Sequence, residues 1–124
     1  MAKKIWGATE TLHLDEQLHV ERIDVVFGGY CSRHLHNRKC NGFLVLNGVL
    51  LVHVDGRETA YVRADTGMLL VPAGFIHQFV ALSRVSAVEI YRAKPDEIVD
   101  RDDIHRFSES GILDDPATYD YHGS

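Results

Sequence analysis

His34 and His36 are separated by a single residue, Leu35. On an extended strand residues i and i+2 project to the same side, so this pair aims two imidazoles at one point. Neutral imidazole suits Zn, Fe, Ni, Cu or Mn(II), with selectivity left to geometry and supply. Tyr30 and Ser32 share the parity of the pair and are expected to line the same cavity. Glu89 lies in an apolar run, Val85-Ser86-Ala87-Val88-Glu89-Ile90-Tyr91. It is either an edge residue facing water or an inward acid; inward, it could supply a carboxylate near the histidines or act as a general base with a raised pKa. Arg33, Arg38 and Lys39 flank the pair. They either recruit an anionic substrate at the cavity mouth or form a solvated basic loop. Cys40 is either a small buried apolar residue or a redox-sensitive thiol.

These residues need a framework, and its periodicity is β. Short β-rich runs punctuated by Gly, Asn-Gly, Asp-Gly and Pro fill most of the chain, the pattern of a sandwich or barrel. Strands are predicted at residues 12–14, 19–27, 31–36, 43–46, 49–54, 59–62, 68–71, 77–82 and 85–91. Asn47-Gly48 reads as a type I′ hairpin turn. That register pairs Leu46 with Val49, Val45 with Leu50, Phe43 with Val52 and Asn41 with Val54. If Asn41 faces inward, so do Phe43, Val45, Leu50, Val52 and Val54, while His53 faces outward. Leu44, Leu46 and Leu51 then make an apolar outer face, for which a homodimer is the economical cover. Asp55-Gly56 reads as a second tight turn.

The spacing of the remaining punctuation carries a resemblance. Gly28, five residues, His34-Leu35-His36, four residues, Asn41, six residues, Gly48 is one pattern. Gly67, four residues, Pro72-Ala73-Gly74, two residues, His77 is the other. Together, over residues 28–48 and 67–81, they resemble the two motifs of the cupin superfamily. The wider layout, with Lys39, Asn41 and Phe43 after the histidine pair, looks like the small mannose-6-phosphate isomerase-like cupins. The resemblance implies an all-β fold, a double-stranded β-helix or jelly-roll barrel. It brings His77 beside His34 and His36 to hold one divalent transition metal ion (Zn, Fe, Ni or Mn). Three protein ligands leave positions open for water or substrate, as a catalytic site requires.

Two positions depart from the family pattern. The first-motif glutamate is replaced by Asn41, which could ligate weakly through its amide oxygen, hydrogen-bond a metal-bound water, or merely start a turn with Gly42. The asparagine that ends the second motif is Ala81. The expected function is a metal-dependent enzyme acting on a small polar, anionic metabolite or sugar derivative by isomerase- or lyase-type proton transfer, with Glu89 and Tyr30 as its catalytic side chains. Because three-His cupins include Fe(II) dioxygenases, oxygenation is an alternative. Non-catalytic binding of a small molecule is another.

Composition sets the outer limits. The 124 residues suit one domain, divided into a barrel over residues 1–95 and a polar extension over residues 96–124. Residues 96–107 are expected to form a turn or two of helix, and residues 114–124 a loose or partner-docked tail. A net charge of −5 and the lack of any Lys/Arg run argue against nucleic acid. No stretch approaches the roughly 20 apolar residues of a membrane-spanning helix. The opening Met-Ala-Lys-Lys-Ile-Trp-Gly has no hydrophobic block behind its basic pair, so the cytoplasm is expected. Cys31 and Cys40 fit free thiols in a reducing compartment.

Overall fold

The computed structural model describes residues 1–116; from residue 117 on, the expected tail lies outside the described residues. Thirteen strands follow in order: β1 (Ala2–Lys4), β2 (Gly7–Leu14), β3 (Leu18–Val25), β4 (Gly29–Tyr30), β5 (His34–Leu35), β6 (Lys39–Asn47), β7 (Leu50–Val54), β8 (Ala60–Val62), β9 (Leu69–Val71), β10 (His77–Ala81), β11 (Val85–Ala93), β12 (His105–Arg106) and β13 (Gly111–Ile112). No α-helix occurs among the described residues. One antiparallel sheet runs β1-β2-β3-β11-β6-β9. In the other, β10 carries β7 and then β8 on one edge, and both β4 and β5 on the other. This is the all-β jelly roll expected from the sequence.

Alternation along the strands divides the space between the sheets into an apolar end and a polar end. Across the first sheet, one inward row is Val45, Ala87, Ile23 and Thr9. The next is Leu69, Phe43, Glu89, Glu21 and Thr11, and the one beyond is Val71, Asn41, Tyr91 and His19. The apolar end is closed by Trp6, Ile23, Val45, Leu50, Val52, Phe79 and Val85, all buried. Trp6 meets Phe79 edge-on with ring centroids 5.1 Å apart.

The Asn47-Gly48 corner is not a hairpin turn. β6 pairs with β11 and β9, and β7 with β10 and β8, so the chain crosses here from one sheet to the other. The corner is anchored from outside: Val49 N–H donates to Ser83 Oγ at 3.0 Å, and Leu82 N–H donates to the Val49 carbonyl at 3.0 Å. The facing deduced from the wrong pairing nevertheless holds. Asn41, Phe43, Val45, Leu50, Val52 and Val54 are all buried, because burial depends on strand parity and not on which neighbour supplies the hydrogen bonds. Leu51 is 1% exposed, so the outer apolar face expected of Leu44, Leu46 and Leu51 loses a member.

Two further expectations are corrected. Residues 96–107 form no helix; they turn, and then lay β12 against β5. Asp residues there serve the backbone directly, as when Asp102 N–H donates to Asp100 Oδ1 at 2.9 Å, and such local bonds compete with a helix. The strand expected over residues 31–36 is broken, with irregular backbone at residues 31–33 between β4 and β5. Parity therefore does not carry from Tyr30 to His34.

Candidate metal centre

β5 and β10 are neighbours with His34 directly opposite His77, which puts two residues 43 apart in sequence side by side. His36, just past β5, joins them: the ring centroids lie 4.5 Å (His34–His77), 5.0 Å (His34–His36) and 5.3 Å (His36–His77) apart. Among the described residues these three form a group of ligand atoms within 4.8 Å of one another. The Pro72-Ala73-Gly74 turn is tied to the same point, since Gly74 N–H donates to the His36 carbonyl at 2.7 Å.

Each Nδ1 faces a backbone carbonyl: His34 that of Ser32 at 2.7 Å, His36 that of Asp103 at 2.7 Å, and His77 that of Phe75 at 3.0 Å. A carbonyl only accepts, so each Nδ1 carries the proton and each Nε2 keeps a lone pair. The Nε2 atoms of His36 and His77 are buried without any partner. Two orphaned acceptors and a third in reach are costly in a metal-free protein, and they are what a metal needs. Burial pushes all three imidazoles below their usual pKa, helped at His34 by the neighbouring His77 and His36; His36 falls to about 4. All three are thus neutral and ready to ligate at physiological pH. The donor set fits a borderline transition metal ion.

His34 and His36 open onto a cavity of about 720 Å³ between the sheets. Its opposite wall is the polar end of the first sheet: His19, Glu21, Lys39, Glu89 and Tyr91. Glu89 faces inward and is 6% exposed. Burial raises its carboxyl to about 7, against hydrogen bonds from the Tyr91 hydroxyl and Asn41 that hold it down, with Glu21 pushing it further up. Asn41 Nδ2 donates to Glu89 Oε2 at 2.9 Å, while its Oδ1 is buried and unpartnered. Lys39, 4% exposed, donates through Nζ to the Asp100 carbonyl at 2.8 Å and stands 4.4 Å from the Tyr91 ring centre.

Other candidates fall elsewhere. Tyr30 does not line the cavity; its ring covers Gly111 on β13, where a Cβ would meet the hydroxyl. Ser32 does line it. Arg33 pairs with Asp55 at 3.0 Å and Arg38 with Asp100 at 3.1 Å, both away from the cavity, whereas Lys39 is inside. His53, expected to face outward, sits 3.1 Å from Thr59 Oγ1 and is 8% exposed.

Several cavity residues carry no motif and were missed. Tyr91 lies on an inward row two residues from Glu89, with its ring 5.4 Å from that of His36. His19 stacks on Tyr91 at 5.5 Å, and its Nε2 is 3.3 Å from Glu21 Oε1 without hydrogen-bond alignment. Parity with Glu89 could have found Tyr91. Arg101 and Arg106 also line the cavity, but nothing local in the sequence folds residues 100–106 over its mouth.

Comparison with known proteins bears on the family and the fold. A family described as mannose-6-phosphate isomerase C-terminal matches residues 1–109. The alginate biosynthesis protein AlgA of Pseudomonas syringae pv. tomato is 22% identical over 104 residues, 84% of this chain. The chain spans only 21% of that relative's length. KdgF from Halomonas sp. superposes with a TM-score of 0.63 at 19% identity, covering 71% of this chain and 81% of its own. A cupin superfamily protein of Desulfitobacterium hafniense gives 0.64 at 19% identity, covering 76% and 84%. These likenesses establish the fold, and the match over residues 1–109 places the chain in the mannose-6-phosphate isomerase C-terminal family of the cupin superfamily.

Proposed function

We propose that this chain is a metal-dependent enzyme that moves a proton on a small, polar, anionic metabolite or sugar derivative, in an isomerase- or lyase-type step. The observation that carries the reading is the opposition of two walls: a cluster of three neutral imidazoles, of which His34 and His36 line one side of the cavity, and a buried carboxyl of raised pKa on the other. His34, His36 and His77 would hold the ion, with the unpartnered Asn41 Oδ1 as a candidate fourth donor. A divalent ion held there would supply Lewis-acid polarisation of a substrate carbonyl or carboxylate oxygen, which makes the adjacent C–H more acidic.

The chain's own groups supply the rest. Glu89, tuned near neutrality, takes a proton from the substrate carbon and returns it to a neighbouring atom, or keeps it while a leaving group departs. Tyr91 and Asn41 orient that carboxyl by hydrogen bonds. Lys39, Arg101 and Arg106 on the cavity wall favour an anionic group on the substrate. Tyr30, outside the lining, is not assigned a catalytic role. Free Cys31 and Cys40 support a reducing compartment such as the cytoplasm. No helix among the described residues is long and apolar enough to cross a membrane.

The test is exchange. Protein loaded in turn with Zn(II), Mn(II), Ni(II) and Fe(II) is incubated in D2O with a panel of sugar phosphates and hydroxy or keto acids, and deuterium uptake at carbon is followed by NMR. Metal-dependent exchange, lost in Glu89→Gln with ligand affinity retained, is expected. Exchange that survives Glu89→Gln would defeat the assignment. Binding without any turnover would favour a non-catalytic module. A second reading rests on Asn41: with no carboxylate at that position, three imidazoles remain, the set of Fe(II) dioxygenases. Oxygen uptake with Fe(II) would favour it.

A homodimer is proposed from the exposed apolar residues of β6 and β9, Leu46 at 51% and Leu70 at 58%. Sedimentation of a Leu46→Glu, Leu70→Glu variant as a monomer, against a wild-type dimer, is the expected result.

A further inference from the structure

Of the three imidazoles, His34 and His77 take their Nδ1 partner from two residues back in their own loops, Ser32 and Phe75. His36 does not. Its partner is the carbonyl of Asp103, 67 residues away. The Asp103 side chain, 4% exposed, then grips the residues that follow His36: Oδ1 accepts from Asn37 N–H at 3.0 Å and Oδ2 from Arg38 N–H at 2.8 Å. A single residue thus holds the ring and the backbone behind it.

The rest of residues 100–108 reinforces the hold. The Asp100 carbonyl accepts from Lys39 Nζ at 2.8 Å, and its carboxylate pairs with Arg38 at 3.1 Å. β12 lies on β5 with His105 opposite Leu35 and Arg106 opposite His34. Phe107 N–H donates to the Arg33 carbonyl at 2.8 Å, and Arg33 N–H donates to Ser108 Oγ at 2.8 Å. Every one of residues 33–36, 38 and 39, and residue 37 as well, is touched or paired by this segment. Yet the segment has little apolar anchorage of its own: residues 105–109 are all exposed, and Ile104 is half-buried. Segments with few buried apolar contacts lie at the low end of the local stability range.

We propose that residues 100–108 form a strap whose docking is thermodynamically linked to metal occupancy of the three-histidine site, with Asp103 as the positioning residue that sets His36. The inference rests on the metal reading given above. A ring fixed by its ion fixes the Asp103 carbonyl in return, because a coupling free energy acts equally in both directions. Removing an outer partner of a ligating histidine costs metal affinity about 10- to 100-fold, and the same loss must appear as weaker protection of the strap.

The experiment uses the full chain and Co(II) alone. Amide hydrogen exchange is measured with and without Co(II), and Co(II) affinity is read from its d–d absorption in wild type, Asp103→Ala and Asp103→Asn. Co(II) is expected to slow exchange at Asn37, Arg38 and Phe107 at least tenfold, beyond any change at the amides of β3. Asp103→Ala keeps the main-chain carbonyl but loses the carboxylate grip on the Asn37 and Arg38 N–H groups, so the carbonyl is no longer held against His36 and Co(II) is expected to bind several-fold more weakly, up to about tenfold. Asp103→Asn, which keeps one acceptor oxygen, recovers part of that loss. A core variant far from the site, Val85→Ala, serves as the control for general destabilisation and should leave affinity unchanged. If Asp103→Ala does not fold, the wild-type exchange comparison decides alone. Wild-type binding of Co(II) with no change in strap protection overturns the linkage and leaves the metal reading standing; no Co(II) uptake by wild type overturns both.

Discussion

Asn41 Nδ2 and Glu89 Oε2 are 2.9 Å apart, so the residue that departs from the first motif of the resemblance is the hydrogen-bond donor to a buried acid on the neighbouring strand. The donor stabilises the charged form and holds the Glu89 pKa down. Asn41→Leu removes it without adding a charge. The Glu89 pKa in the metal-free protein is therefore expected to climb above about 7 by roughly one unit, since a hydrogen bond to a charged group is worth roughly 1.5–3 kcal/mol and one unit is about 1.4 kcal/mol. Carboxyl carbon NMR against pH measures it directly. An unchanged midpoint would mean that the Asn41 bond does not hold the Glu89 pKa down, leaving burial, Tyr91 and the neighbouring charges to set it.

Glu89 also makes stability depend on pH. Its folded pKa, about 7, exceeds the usual 4.5, so between those values the folded state binds a proton that the unfolded state has lost. Stability attributable to this residue is greatest below pH 4.5 and declines as pH rises to about 7, above which the buried charge is fully paid. Glu89→Gln is expected to flatten this decline and, above pH 7, to stabilise the metal-free protein by roughly 1–3 kcal/mol. Urea unfolding of both proteins at pH 5 and pH 8 checks the sign: the difference between them should widen at the higher pH.

How much of this could be read from the chain alone follows the range over which each signal acts. His34, His36 and His77 were legible because a two-residue repeat and a Pro-x-Gly turn are local, and because the paired motifs resemble a known family. Inward facing at Phe43, Val45, Leu50 and Val52 was legible from parity. Pairing was not: Asn47-Gly48 has the composition of a hairpin turn, but β6 pairs with β11 and β9 while β7 pairs with β10 and β8, and the corner between them is anchored by Val49 N–H on Ser83 Oγ rather than by its own residues. The broken backbone at residues 31–33 misplaced Tyr30, since parity counts only along continuous strand. Glu89 was left open between two faces, and the register with Phe43 and Glu21 decides for the interior. The role of Asp103 depends on contacts across more than 60 residues, and nothing local announces it.

The sheet-crossing corner can be tested through Gly48. Its φ is 92°, in the left-handed region, and a Cβ placed there would meet the Arg84 carbonyl oxygen. An Asn-Gly hairpin turn facing solvent would tolerate alanine at the cost of strain alone, on the order of 1 kcal/mol. Contact with the β10–β11 turn adds a backbone clash that a rigid carbonyl cannot escape cheaply. Gly48→Ala is therefore expected to destabilise by roughly 2–4 kcal/mol, whereas Gly56→Ala, also at positive φ but with open space around it, should cost about 1 kcal/mol. Equal losses in thermal or urea unfolding would count against the corner.

The three histidines carry the opposite pH signature to Glu89. Burial lowers their folded pKa values below the usual 6.5, so as pH falls the unfolded chain takes up protons that the folded site refuses. The metal-free protein should lose stability as pH drops from about 6.5 towards 4, and His34→Gln should reduce that slope. Metal retention follows from the same shift. A site whose imidazoles are all held below the usual range by burial, His36 down to about 4, does not compete with protons in the range where free imidazole does. Bound Co(II), followed by its absorption during an acid titration, is expected to persist below pH 6 and to leave together with the fold. Release near pH 6.5 with the fold intact would show that the imidazoles are not held neutral by burial, and the site would then be looser than its distances indicate.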